Sequence, residues 1–278
     1  MNIFEAVLLG AVEGITEFLP VSSTGHLTIL EKLLGYQIDA TDITAFTAII
    51  QSGAVFATVI FLRHDIARIV PAWFRGLLNA EARQSPDYRF GWAVILGSIP
   101  IGIVGLLFQD TIETTLRSLW FVAGALIVWS GMMAFADHAA TQFRHEDDVT
   151  WKDTLIIGVV QCLALIPGIS RSGATMSAGL LRDLDRVSVT KLSFFLSIPA
   201  LLGATVLQIA QEAGNISTGV GWVNTATATL VSFVVGYAAV AWLLKFIARH
   251  SYSIFIAYRL LLGATLMVLL ATNVIEPK

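Results

Sequence analysis

Two carboxylates, Glu13 and Glu17, stand four residues apart inside an otherwise apolar stretch of this chain. On a helix that spacing puts both on one face, with Gly10 on the same face and Gly14 beside it, so another backbone could approach closely there. Within a bilayer each carboxylate costs about 2.5–3.5 kcal/mol to place. Two together repel unless a cation or a proton joins them. Their plain structural alternative is a pair tied to an arginine only to hold two parts of the chain together. Pro20-Val21-Ser22-Ser23-Thr24-Gly25-His26 follows, with three hydroxyls and an imidazole at a chain break. Ser and Thr ahead of a helix are caps, and capping alone would account for them. Such a helix start also presents free N–H groups and the positive end of the dipole, which together seat a phosphate.

A second run of this kind is Pro167-Gly168-Ile169-Ser170-Arg171-Ser172-Gly173-Ala174-Thr175. Arg171 is a permanent cation with a planar fork of donors, and Thr175 shares its helix face. Two helix starts, an arginine, several hydroxyls and His26 describe an anion site whose donors suit phosphate better than carboxylate. The acidic pair conflicts with a phosphate unless a divalent cation mediates. Mg²⁺ binds through one or two carboxylates plus substrate phosphates. The combination points to a metal-dependent reaction on a phosphorylated, membrane-embedded substrate.

The elements that must position these residues are membrane helices. Of 278 residues, 56% are hydrophobic and 13% are charged, against about 25% charged in ordinary soluble domains. Six stretches, roughly 43–62, 91–108, 118–136, 192–210, 225–244 and 253–272, approach the 20 or so apolar residues that cross a bilayer. The stretches 3–34 and 154–182 do not, because Pro20 and Pro167-Gly168 break them. Both read as re-entrant helix–loop–helix hairpins, the alternative being one kinked span each. The predicted fold is therefore an all-α polytopic membrane protein with six spans and two hairpins. Arg63, Arg68, Arg75, Arg83, Arg89, Arg144, Lys152, Arg182, Arg186, Lys191, Lys245 and Arg249 then fall on one face. Lys32, Arg117 and Lys278 fall on the other. The positive-inside rule makes the first face cytoplasmic and puts both termini outside.

Displaced by 148 residues, Gly10, Glu13, Ser22, Ser23, Thr24 and Gly25 align with Gly158, Gln161, Ser170, Arg171, Ser172 and Gly173. Each half, 1–137 and 151–273, would hold one hairpin and three spans. An odd number of spans inverts the second half, so the hairpins enter from opposite faces and meet near the midplane. The net charge of −3 and the lack of a basic patch argue against nucleic acid. The single cysteine, Cys162, excludes an internal disulfide and reads as a small buried hydrophobe. The N-terminus reads as mature fold rather than a cleaved signal, with no Lys or Arg before Lys32. Arg259, inside the last span, reads as either a secondary ligand or a snorkelling residue, the latter favoured. Gly97, Gly102, Gly105 and Gly124 permit tight packing within one chain or in a homodimer. The pattern of type-2 phosphatidic-acid phosphatases fails, since Ser177 and Leu181 stand where it wants a histidine and an acid.

The run from Glu13 to His26 and the run from Pro167 to Thr175 resemble the two signature motifs of the undecaprenyl pyrophosphate phosphatase family, the bacitracin-resistance type. The resemblance covers the whole chain in length and segment order. It implies hydrolysis of undecaprenyl diphosphate to the monophosphate and inorganic phosphate, recycling the lipid carrier of peptidoglycan synthesis. It also implies a bacterial plasma (inner) membrane and a site open to its outer, periplasmic face. Carried over, Glu13 and Glu17 resemble the family's acidic pair, for metal (Mg²⁺ or Ca²⁺) or acid–base work. Ser22, Ser23, Thr24, Gly25 and His26 resemble its first-hairpin site. Ser170, Arg171, Ser172, Gly173 and Thr175 resemble its second.

The attacking group stays open between Ser23, His26 and a water activated by Glu17 or His26; His26 is the favoured nucleophile or base. Arg171 and the hairpin N–H groups would stabilise the transferring phosphoryl. The competing class is a transporter or flippase of a phosphorylated lipid or anion, since broken helices meeting at mid-depth also serve transport. A structural scaffold leaves both polar runs unexplained.

Overall fold

Side-chain oxygens mark six of the helix starts in the described residues. The computed structural model describes residues 1–113, 116 and 118–277. Among them are twelve α-helices and, apart from one Arg144–Leu184 bridge, no strand pairing. In order they are α1 (Ile3–Thr16), α2 (Ser23–Leu33), α3 (Thr41–Phe61), α4 (Arg63–Leu78), α5 (Pro86–Leu107), α6 (Gln109–Glu113), α7 (Leu119–Ala139), α8 (Trp151–Gln161), α9 (Arg171–Leu180), α10 (Arg186–Thr218), α11 (Trp222–Ile247) and α12 (Ser253–Ala271). Asn2 and Glu5 cap α1 reciprocally, as Thr150 and Asp153 do α8. Ser22, Ser85, Ser170 and Asp185 cap α2, α5, α9 and α10. Each cap satisfies N–H groups that a helix start leaves free.

Six helices, α3, α5, α7, α10, α11 and α12, are long and apolar enough to cross a membrane. The chain is an all-α polytopic membrane protein. By contrast α1, α2, α8 and α9 have 14, 11, 11 and 10 residues. At 1.5 Å per residue they run about 15–21 Å, short of a 30 Å hydrocarbon core.

Four details differ from the sequence reading. The segment 63–90, between the first two expected spans and outside both, is largely helical. In α4 the buried Ile69 and Gly76 lie toward α5, where Gly76 meets the Tyr88 ring. The arginines on its other side dilute any hydropathy average, which hides the helix. Second, α10 has 33 residues and starts at the Asp185 cap, well before 192. Third, α8 ends at Gln161 and passes through a 3₁₀ turn, Cys162–Leu165, before Pro167. Proline disfavours helical geometry in the residue before it, and Ile166 is extended. Fourth, Cys162 is only partly buried.

The first arm of each broken segment packs by glycine against a span of the other half. Gly10 of α1 abuts the Ala228 backbone of α11, and Gly158 of α8 abuts the Gly97 backbone of α5. Segments that the charge pattern groups together are joined by ion pairs. Lys191 pairs with Asp65 (2.9 Å) and Glu146 (3.0 Å), and Arg186 with Asp137 (2.7 Å). On the opposite face Asn224 donates to the Met1 carbonyl, and the Leu119 N–H donates to the Pro277 carbonyl. Arg117 and Lys278 lie outside the described residues.

Candidate active site

The turns after α1 and before α9 come together although about 150 residues separate them. Ser22 Oγ accepts from its own helix at Gly25 N–H (3.3 Å) and from Gly168 N–H of the other turn (3.1 Å). Ser172 Oγ donates back to the Leu19 carbonyl (2.9 Å). Ser22 and Ser170 both hold the left-handed backbone region, at φ 77° and 70°. For a non-glycine residue that costs on the order of 1–3 kcal/mol and persists only where its surroundings hold it. Ser170 Oγ in turn accepts from Gly173 N–H (3.1 Å) and meets Ser172 Oγ (3.1 Å).

Beneath the crossing, Arg259 clasps both turns. Its guanidinium donates to the Pro20 carbonyl (3.3 Å), the Gly168 carbonyl (2.8 Å) and Ser130 Oγ (3.1 Å). It is fully buried, which corrects the snorkelling reading. A long cation deep in the bundle is retained because backbone carbonyls freed by the two breaks need donors.

Glu17 is the centre of the arrangement. One carboxylate oxygen accepts from Arg171 Nη2 (2.9 Å) and the other from Ser23 Oγ (2.5 Å). Arg171 also donates to the Ser193 carbonyl (3.2 Å) and lies over the Phe18 ring, while its buried Nε–H has no acceptor. Glu13, one turn before Glu17, is fully buried, and neither of its oxygens receives a hydrogen bond from a donor group.

These groups form the head of a cleft of about 860 Å³, lined at one end by Glu17, Ser22, Ser23, Thr24, Ser170 and Arg171. The remainder is walled by α3, α5 and α10, mostly with apolar and small residues. Other sequence-predicted residues are placed away from it. Gly25 and Gly173 serve the caps, Ser172 ties the turns, and buried Thr175 meets the Arg171 carbonyl and Ser193 Oγ. His26 faces α12. Its Nδ1 must donate to the Ser22 carbonyl (2.7 Å), so in the neutral ring Nε2 accepts from Tyr258 Oη (2.6 Å).

With that geometry in place, comparison with known proteins is direct. The family profile described as "Bacitracin resistance protein BacA" matches residues 6–265. The chain belongs to this family. It is 71% identical to "Undecaprenyl-diphosphatase 3" of Frankia casuarinae over 99% of both chains. It is 52% identical to proteins named "Undecaprenyl-diphosphatase" in Cutibacterium acnes and "Undecaprenyl-diphosphatase 1" in Streptomyces avermitilis, again over 99% of each.

Sequence reasoning missed several polar groups of this BacA-family site. Thr44, Thr47 and Gln51 of α3 and Ser98 of α5 line the cleft. Thr47 donates to the fully buried Glu31 (2.6 Å). Their signal was available: Thr44, Thr47 and Gln51 recur at one-turn spacing along an apolar span.

Proposed function

We propose that the chain hydrolyses undecaprenyl diphosphate to undecaprenyl phosphate and inorganic phosphate. The observation that carries this is the continuity of a polar, arginine-bearing head with a long apolar cleft, the shape of a diphosphate on a prenyl tail. The names of the relatives, which state this hydrolysis of them, support the same reaction and do not favour transport.

In this reading Ser23 Oγ attacks the terminal phosphorus while Glu17, hydrogen-bonded to that hydroxyl, takes its proton. The bond from phosphorus to the bridging oxygen breaks. The lipid monophosphate leaves and the phosphoryl group stays on Ser23. Water then attacks phosphorus and the bond to Ser23 Oγ breaks, Glu17 returning its proton to that oxygen; the water's own hydrogens leave with inorganic phosphate, so one water is consumed overall and the site is regenerated. Arg171 and the starts of α2 and α9 face the phosphoryl oxygens, where fixed donors stabilise developing charge. Attack by His26 is less well supported, because both of its ring nitrogens are engaged on the far side of α2.

A divalent cation, Mg²⁺ or Ca²⁺, fits the donor set, since the orphaned Glu13 carboxylate beside Glu17 calls for a counter-charge. Glu13 and Glu17 would hold it. When bound, such an ion offsets negative charge on the substrate phosphates. The membrane is the bacterial plasma membrane, with both termini and the cleft mouth toward the outer face, as the excess of Arg and Lys on the other face supports. The two broken segments are re-entrant and belong to inverted halves, supported by their matched Ser22 and Ser170 turns and reciprocal glycine packing. The glycines that motivated a homodimer either pack within the chain or line the cleft, so one chain builds the whole site.

The test is phosphate release from undecaprenyl diphosphate by protein purified in detergent, with and without chelator. Release should need a divalent cation and vanish in Glu17→Ala and Arg171→Ala. No release from folded wild type supplied with Mg²⁺ or Ca²⁺ would overturn the reading.

A further inference from the structure

Helical glycines in this chain include two contrasting groups. At Gly10, Gly53 and Gly158 an added Cβ would overlap a neighbouring backbone, so packing demands glycine. At Gly102 of α5 and Gly203 of α10 an added Cβ would meet no atom within 4 Å, and at Gly105 only the Leu165 side chain at 3.9 Å. Packing gives no reason for glycine at these three positions, and each weakens its helix relative to alanine. All three line the cleft. At its head stands Arg171, whose side chain is 9% exposed and whose Nε–H lacks an acceptor. Arg171 therefore stands at the head of a channel whose wall carries no side chain at three positions.

We infer that Gly102, Gly105 and Gly203 form the wall that receives the methyl-branched isoprene units next to the diphosphate, and that they set which prenyl diphosphates the enzyme accepts. This rests on the proposed hydrolysis. Along α5, Gly102 lies about 6 Å past Ser98 and Gly105 about 10 Å past it, beyond the polar head and within the apolar part of the cleft. Helices α3 and α5 each pack on α10, which forms the floor between them. A bulky side chain at Gly102 or Gly203 would enter the space that the tail needs without touching Glu17, Ser23 or Arg171.

The experiment measures KM and kcat of Gly102→Leu, Gly203→Leu and Gly214→Leu on undecaprenyl diphosphate and on a short, water-soluble prenyl diphosphate. Gly214 also sits in open space on α10 but outside the cleft. The two cleft variants should raise KM for the long substrate about tenfold or more with kcat within about threefold, the pattern of lost uniform binding. Gly214→Leu should match wild type. Unchanged KM in both cleft variants overturns the inference while wild-type turnover keeps the hydrolase reading intact. A wild type that hydrolyses neither substrate removes both. Should the leucine variants fail to fold, wild type with a photoreactive prenyl diphosphate decides. Adducts on α5 and α10 around these glycines support the wall, and adducts confined to other helices overturn it.

Discussion

Two clusters in this molecule are built from the same parts, a carboxylate, arginine and a hydroxyl, and they serve opposite ends. At the start of α8, Asp153 is fully buried and accepts from Arg144 through both terminal nitrogens (3.0 and 2.6 Å), from Arg182 Nε (2.9 Å), and from Thr150 Oγ (2.7 Å) and N–H (2.9 Å). Both carboxylate oxygens have at least two donors each. Around Glu17 the same chemistry is left incomplete. The carboxylate has two donors, Arg171 keeps one N–H free, and the group borders 860 Å³ of open cleft. Saturation makes a rivet for the start of α8. Incompleteness beside a cavity makes a site.

Swapping the fates of the two clusters is the sharpest way to break that contrast. Removing the free donor with Arg171→Ala, or the hydroxyl with Ser23→Ala, should cut kcat/KM by about 10³-fold or more, with the fold retained by thermal melting. Asp153→Asn should do the reverse. It leaves two arginines short of their acceptor and should destabilise by about 3 kcal/mol, while turnover per folded molecule stays near wild type. If folded Asp153→Asn were inactive, the rivet would belong to the machinery and the contrast would fall.

His26→Gln sharpens the comparison from inside the site. With both ring nitrogens engaged, by the Ser22 carbonyl and Tyr258 Oη, and the ring outside the cleft lining, this variant should hold turnover within about tenfold of wild type. A collapse there, with Ser23→Ala active, would transfer the attacking role to His26. Glu13→Gln should weaken the dependence on added Mg²⁺ more than it slows turnover at saturating metal.

The smallest effect expected is in acid. Burial raises the Asp153 carboxyl, but hydrogen bonds from Arg144, Thr150 and Arg182 outweigh it and hold the group well below the usual carboxylate range. A depressed folded-state value stabilises fully above the unfolded value, and that contribution fades as pH falls through about 4 and below. Melting in detergent at descending pH should show this loss in wild type and a flatter profile in Asp153→Asn.

Much of this was legible from the chain alone, for identifiable reasons. The six spans announce themselves through hydropathy, and Pro20 and Pro167 break helices through a local clash that needs no tertiary context. The acidic pair and Arg171 stand out because charge in an apolar run is costly. What stayed hidden depends on direction and on partners. His26 read as the favoured nucleophile or base, but α2 turns its ring toward Tyr258. The clasp by Arg259 could not be foreseen, since its acceptors are backbone carbonyls 239 and 91 residues away. The helix α4 was masked because its arginines cancel its apolar face in any window average.

The length of α10 carries one more consequence. Its 33 residues extend about 50 Å, well beyond the roughly 30 Å of hydrocarbon. Near its far end Gln208 lines the cleft, and Gln211 is joined to Gln109 (3.2 Å). The cleft thus runs from its polar head along an apolar wall to a rim that carries amides. A reaction held there works as a phase separation in miniature: the carrier stays dissolved in the bilayer, the small anion partitions into water, and the products need no further machinery to part.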